Sequence, residues 1–377
     1  MSAPLRVAVV MTAVYAAGGI GMVYLPLWLG QCGLTAAAIS QIYGLSSLLR
    51  LGATPAWGEV ADRLGRVRPV LILAASATAA FSLGFLPAWG FLAVLAVLTL
   101  QSFCSAALQP LCDTLLLGLA HEGRLDYGRV RAVGSAAFLV TAVAGGPVVA
   151  AFGSASAPVL MALIYAAAAV LGPLLPDARP RARPPSTLGS FRLLANPTFR
   201  ITVLMSALIQ SSNGAYYSLS SLHWRAAGLG ETTIGLLGAE GVVAETVMFL
   251  LAGPLVARLG PGWLAGLGGA GAVLRWLVTA TTTDPLLLAS VQWLHCASYG
   301  LAWLAALTML TRHMPPERAA TAQMLHAALG STAATGLAEW AAGLIYDGSG
   351  SAFLLMAGLA AAGTAVAPAL ARADRRA

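Results

Sequence analysis

Gly58-Glu59-Val60-Ala61-Asp62-Arg63-Leu64-Gly65-Arg66-Val67-Arg68 sets five charges within eleven residues, between two long apolar runs. A polar stretch this short between apolar runs reads as the hairpin joining two membrane helices. Gly58 permits close approach to a neighbouring helix, Gly65 permits a tight reversal, and Asp62 can latch a cation or a helix N-terminus. Arg63, Arg66 and Arg68 mark the side of the membrane on which the hairpin lies.

The rest of the chain extends this pattern. Apolar residues make up 58% and charged residues 9%, where soluble domains carry about a quarter charged. So few charges cannot cover a soluble surface. The mean hydropathy is +0.80, and the 41 glycines suit helices packed backbone to backbone in lipid. Division at charge clusters and at Pro/Gly breaks gives spans 7–29, 36–58, 69–88, 91–119, 128–152 and 157–176. After a polar linker, 177–198, come 199–223, 233–257, 263–281, 285–311, 319–345 and 352–371. The expected fold is an all-α membrane protein of twelve transmembrane helices, with halves 1–176 and 199–377. The first apolar run follows Arg6 and continues as a full span, so a cleaved signal is not expected.

The net charge of +7 does not point to nucleic acid. All 21 basic residues are arginines and they cluster between apolar runs. With the N-terminus placed inside, 18 of them fall in inner loops or tails, only Arg225 in an outer loop, and Arg50 and Arg275 within spans. Both termini are therefore expected in the cytoplasm, in a bacterial inner membrane. Cys32, Cys104, Cys112 and Cys296 lie in or beside apolar runs without CxxC spacing, so neither a metal site nor a disulfide is expected.

A shift of 195 residues aligns the halves. Gly33-Leu34 meets Gly228-Leu229, Ile39 meets Ile234, Gly58 meets Gly253, and Arg63-Leu64-Gly65 meets Arg258-Leu259-Gly260. The same shift pairs Arg50 with Glu245. Duplicated six-helix halves are the architecture of secondary transporters, with the site near midplane.

The opening stretch resembles the G-x-x-x-D-R-x-G-R signature of the major facilitator superfamily, in Gly58, Asp62, Arg63, Gly65 and Arg66, where it serves gating. Pro110-Leu111-Cys112-Asp113, Asp126-Tyr127-Gly128-Arg129-Val130-Arg131, Ala215-Tyr216-Tyr217, Gly241-Val242-Val243-Ala244-Glu245, Leu274-Arg275-Trp276 and Leu294-His295-Cys296 are similar to the phenylpropionate-permease branch, related to the lactose permeases. This resemblance covers nearly the whole chain. It implies a proton-coupled importer of a small organic solute, an aromatic acid or a sugar-like or nucleoside-like molecule. It also implies a functional monomer needing no cofactor.

Asp113 and Arg131 each lie nine residues from residue 122, the centre of the hairpin between spans 4 and 5, so they sit at equal depth and can pair. The resemblance implies that they bind solute, with Phe138 two turns beyond Arg131 stacking on it and Arg50 as a further candidate. A structural ion pair is the competing reading of Asp113 and Arg131.

The second group is Glu245, Arg275 and His295. Glu245 lies about 12 Å from one end of its span and His295 about 15 Å from one end of its own, at 1.5 Å per residue. An acid beside an arginine and a histidine has the parts that proton coupling needs. The resemblance implies a further acid one turn after the histidine, where this chain has Ser298, which leaves Glu245 as the candidate proton carrier. Glu240, His326 and Glu339 are weaker candidates, the last two on nearly opposite sides of one helix. Tyr216, Tyr217, Trp276 and Trp293 read as packing, interface anchors or an aromatic pocket, and His121 and His313 as solvated loop residues. Rival readings are a proton-driven exporter, a non-transporting sensor and a membrane-embedded enzyme. The enzyme lacks HExxH, GxSxG and Asp-rich motifs to support it.

Overall fold

The computed structural model describes residues 3–121, 127–176, 191–250, 252–315 and 318–375. Among them every regular element is helical. The first stretch holds α1 (Ala3–Gln31), α2 (Ala36–Leu49), α3 (Ala53–Leu64), α4 (Val67–Gly84), α5 (Phe91–Ser105) and α6 (Leu108–His121). The second holds α7 (Tyr127–Phe152) and α8 (Ser156–Leu171). Then follow α9 (Pro197–Ser211), α10 (Gly214–Ala226), α11 (Glu231–Leu250), α12 (Ala252–Thr281), α13 (Pro285–Gln292) and α14 (Ala302–His313). The chain ends with α15 (Ala319–His326), α16 (Ala334–Ile345) and α17 (Ser351–Arg375). π-helical turns Cys296–Leu301 and Ala327–Ala333 join α13 to α14 and α15 to α16.

Joined across their breaks, these helices make the twelve crossings of the major facilitator fold. Among the described residues eight helices are individually long and apolar enough to cross a membrane. The other crossings are divided or more polar. The span expected at 36–58 is two helices separated at Arg50–Gly52, so Arg50 stands in a turn and not inside a continuous helix. Spans 4 and 7 are likewise divided, at Ala106–Ala107 and Ser212–Asn213. α12 runs through the expected loop between spans 8 and 9, with Gly260 (φ 69°) as the kink.

The duplication is written into the backbone. Gly33 and Gly228 have φ 78° and 91°, Gly65 and Gly260 have 61° and 69°, and Gly153 and Gly348 have 80° and 92°. Each pair is 195 residues apart, and each needs the left-handed conformation that side chains disfavour. At Gly65 this conformation ends α3, with the Gly65 and Arg66 amides donating to Asp62 and Ala61 carbonyls. Gly58 does not serve close packing, since a Cβ there would meet open space among the described residues. Arg63 pairs with Glu59 at 2.6 Å on the exposed face of α3. Most of the expected linker, 177–190, lies outside the described residues.

By contact the chain divides into two compact units. The first comprises Met1–Ile42, Leu49–Arg183 and Gly228–Ala239, and the second Tyr43–Leu48, Pro184–Ala227 and Glu240–Ala377. These are not the halves 1–176 and 199–377, because short pieces of α2 and α11 are exchanged. In the first unit α1 lies against α7 and α8. Gly19 faces the Phe138 carbonyl and the Thr141 hydroxyl, and Gly145 lies under the Tyr24 ring. Thr141 donates to the Ala16 carbonyl at 2.8 Å and the Tyr24 hydroxyl donates to the Ala142 carbonyl. Small residues thus let two backbones approach and exchange hydrogen bonds in a medium that offers no others. The second unit is built on α12 against α17, and α9 against α17. Its apolar core includes Met205, Ile209, Leu264, Ala305, Met309 and Leu370.

Candidate functional site

The second unit encloses a polar cluster around Arg275, which is 0% exposed. Three local features aim side chains at it. The run Ser211-Ser212-Asn213-Gly214 favours turns over helix, and it breaks span 7 so that Asn213 faces inward at the start of α10. In span 10, Gln292, His295 and Ser298 recur every three residues and line one side, with His295 opening the π-helical turn. In α11, Gly241 lies one turn before Glu245, and a Cβ there would come within 3.0 Å of His295 Cβ.

Arg275 Nη1 donates to Asn213 Oδ1 at 3.1 Å and to Ser298 Oγ at 3.3 Å, and contacts His295 Nδ1 at 3.0 Å. Its Nη2 donates to Gln292 Oε1 at 2.6 Å. Ser298 Oγ also donates to Asn213 Oδ1, at 3.2 Å. The guanidinium carbon lies 4.4 Å from the Tyr216 ring centre and 4.3 Å from that of Trp276. Trp276 is held by an indole hydrogen bond to Ser212 at 3.0 Å. A buried cation is thus solvated by neutral oxygens, an imidazole nitrogen and two aromatic faces.

His295 stands between Arg275 and Glu245. Its Nε2 is 3.6 Å from Glu245 Oε2, while Nδ1 faces the arginine. A guanidinium only donates, so Nδ1 must accept and the ring proton resides on Nε2, directed to Glu245. While that bond lasts, the imidazole cannot take a second proton on Nδ1. Tyr299 stacks on the ring at 5.8 Å and fixes its plane.

The structure brings Glu245, Arg275 and His295 together, but as a chain with the histidine in the middle. Asn213 and Gln292 were missing from the sequence reading. The signal for Asn213 was a polar run inside an apolar span, and for Gln292 its three-residue spacing from His295. Of the first-half candidates, Asp113 is half-buried in α6 and Phe138 packs near Gly18 of α1, 3.5 Å from where a Cβ would stand. The Arg131 side chain lies outside the described residues. Trp293 is 49% exposed and turned away from the cluster. His313 is not a solvated loop residue, for its Nε2 meets Asp374 Oδ1 at 2.9 Å beside the Arg312–Asp374 pair. The His121 side chain lies outside the described residues.

Gly241→Ala tests the spacing of this chain. The added methyl must push back His295, and overpacking of this kind costs about 1–3 kcal/mol. A lowered melting temperature with reduced transport is expected, and thermal unfolding in detergent checks it.

Residues 5–357 match the family described as the MFS_1 like family. The chain is 28% identical over 310 residues to the probable 3-phenylpropionic acid transporter of Escherichia coli, covering 79% of this chain and 80% of that protein. It is 28% identical over 311 residues to the maltose permease of Geobacillus stearothermophilus, covering 81% and 77%. The solved nucleoside transporter NupG superposes with a TM-score of 0.83 over 98% of this chain and 99% of that one, at 15% identity, a likeness of fold alone. The chain belongs to the MFS_1 like family and is a multi-pass membrane transporter of the major facilitator type for a small-molecule solute, not an enzyme.

Proposed function

We propose that the protein is a proton-coupled symporter that imports a small organic anion, an aromatic carboxylic acid such as 3-phenylpropionate, by alternating access. The observation that carries this reading is the chain Arg275–His295–Glu245, in which a buried cation fixes the imidazole and leaves Glu245 to gain and lose the proton. Two halves, 1–176 and 199–377, alternate about the solute path as a monomer in a bacterial inner membrane, with both termini in the cytoplasm. Arg50, Asp113, Arg131 and Phe138 bind solute. Gly58, Asp62, Arg63, Gly65 and Arg66 form the gating hairpin. The named relatives support the solute class through the printed activity of the first of them.

The test is uptake of 3-phenylpropionate, maltose and a nucleoside into proteoliposomes, with and without an inward proton gradient. Gradient-dependent accumulation of the acid supports the reading. Accumulation of maltose or the nucleoside alone would replace the solute class, and gradient-independent uptake would remove proton coupling. In the same vesicles Arg131→Lys should weaken binding of the acid by about tenfold or more, because lysine lacks the planar fork that holds a carboxylate by two hydrogen bonds. Unchanged affinity in a folded variant would take Arg131 out of the site.

A further inference from the structure

Glu339 lies outside the Arg275 cluster, in the middle of α16, and is 4% exposed. Ser47 Oγ on α2 donates to its Oε2 at 3.2 Å. Glycines close the surrounding backbones on it. A Cβ at Gly44 would come within 2.5 Å of the Gly336 carbonyl oxygen and the Trp340 amide, and one at Gly214 of α10 within 3.3 Å of Glu339 Cγ. A carboxyl group is thus enclosed where three helices meet at contact distances that only glycine allows.

The ionisable groups on the elements around it are few. α2 contributes the Tyr43 phenol, and Arg50 follows its end. α10 carries Tyr216 and Tyr217 in its first turn and His223 and Arg225 in its last. α9 carries only Arg200, near its start, and α17 only Arg372, Asp374 and Arg375, near its end. Ionising an enclosed carboxyl in a membrane interior costs several kcal/mol unless the surroundings open to water. Protonation removes the charge and adds a donor.

We propose that Glu339 is a second proton-binding site, which holds its proton while α2 is packed on α10 and α16 and releases it when that packing opens. Glu339 then links protonation to the separation of these helices, since whatever binds one arrangement better shifts the balance towards it. The device rests on the transporter reading only in that α2 must move.

The test uses the full chain in lipid nanodiscs and needs neither solute nor gradient. Infrared difference spectra between acid and alkaline buffer should show a protonated-carboxyl carbonyl band that is lost on raising the pH. That band should be absent from Glu339→Gln and shifted in Ser47→Ala, which removes the hydroxyl donor. Leu48 Cγ lies 3.4 Å from where a Gly336 Cβ would stand, so Leu48→Cys reports the same packing. Its maleimide reactivity, resolved by mass spectrometry from the native cysteines, should rise at least about fivefold more over the pH step with Glu339 than with Gln there. Identical spectra for wild type and Glu339→Gln, or equal rises in reactivity, would overturn the proposal. If Glu339→Gln does not fold, the Ser47→Ala spectrum decides, an unshifted band counting against it. A failure here leaves gradient-driven uptake, a separate measurement, untouched.

Discussion

Glu245→Gln is expected to abolish uphill solute accumulation while solute exchange continues. Glutamine has the shape and the neutrality of the protonated acid, so it can occupy every state that the protonated carrier occupies. It cannot release a proton, and the return step that requires release is closed to it. Exchange needs no release, because a labelled molecule enters as an unlabelled one leaves with the site protonated throughout. With one proton per solute, a pH step of one unit can drive roughly tenfold accumulation, each ~1.4 kcal/mol being a factor of ten. In Glu245→Gln the ratio should fall to the equilibrium level, with exchange within about threefold of wild type, under ~1 kcal/mol. His295 makes this prediction sharper than the bare presence of an acid. Its Nδ1 is committed to Arg275 at 3.0 Å, so the imidazole is poorly placed to carry the coupled proton in place of Glu245. Wild-type accumulation in the variant would move the carrier elsewhere, with Glu240 one turn earlier on α11 the nearest acid. Loss of exchange would make Glu245 a solute ligand or a structural partner.

The twelve crossings were legible because lipid demands long apolar runs, and the hairpin at Gly58–Arg68 interrupts two of them with charge. The repeat was legible at Gly33/Gly228 and Gly65/Gly260 because glycine is required where φ is positive. Gly153/Gly348 obeys the same offset but sits in loops with no neighbouring match to draw the eye. Helix interiors were less readable. No residue type marks the break at Ala106–Ala107, and the π-helical turns after His295 and His326 are set by tertiary packing, not by local propensity. The π turn also removes the ground for placing His326 and Glu339 on opposite sides of span 11, since a phase of 100° per residue holds only for an unbroken α-helix. Both are buried, at 2% and 4% exposure. At the site, the charged members were found because charge within a span is costly and few residues compete for attention. Asn213 and Gln292 were invisible to that reasoning. They are neutral, and their importance appears only when a cation needs oxygens. Sorting loop charges by side likewise could not show that His313 and Asp374, 61 residues apart, meet at 2.9 Å.

Arg275→Ala should be the most destabilising single substitution in the second unit. The guanidinium ties α9–α10, α12 and span 10 together through Asn213, His295, Ser298 and Gln292, and all four partners are buried. Interhelical hydrogen bonds inside membranes are worth roughly 0.6–2 kcal/mol each. Their joint loss, with the removal of a side chain packed between Tyr216 and Trp276, predicts a cost of about 4 kcal/mol or more. Arg275→Lys separates charge from geometry. The ammonium keeps the positive charge, but its donors radiate from one atom and cannot reach Gln292 on one side and Asn213 with His295 on the other. Lysine should therefore recover at most about half of the lost stability, because one or two of the four contacts can be remade. Denaturation in mild detergent, followed by the loss of monodisperse protein on heating, measures both variants against wild type. A Lys variant as stable as wild type would mean that the cluster needs only a cation at this depth. An Ala variant as stable as wild type would mean that the buried acceptors find other donors, and the structural role assigned to Arg275 would fall.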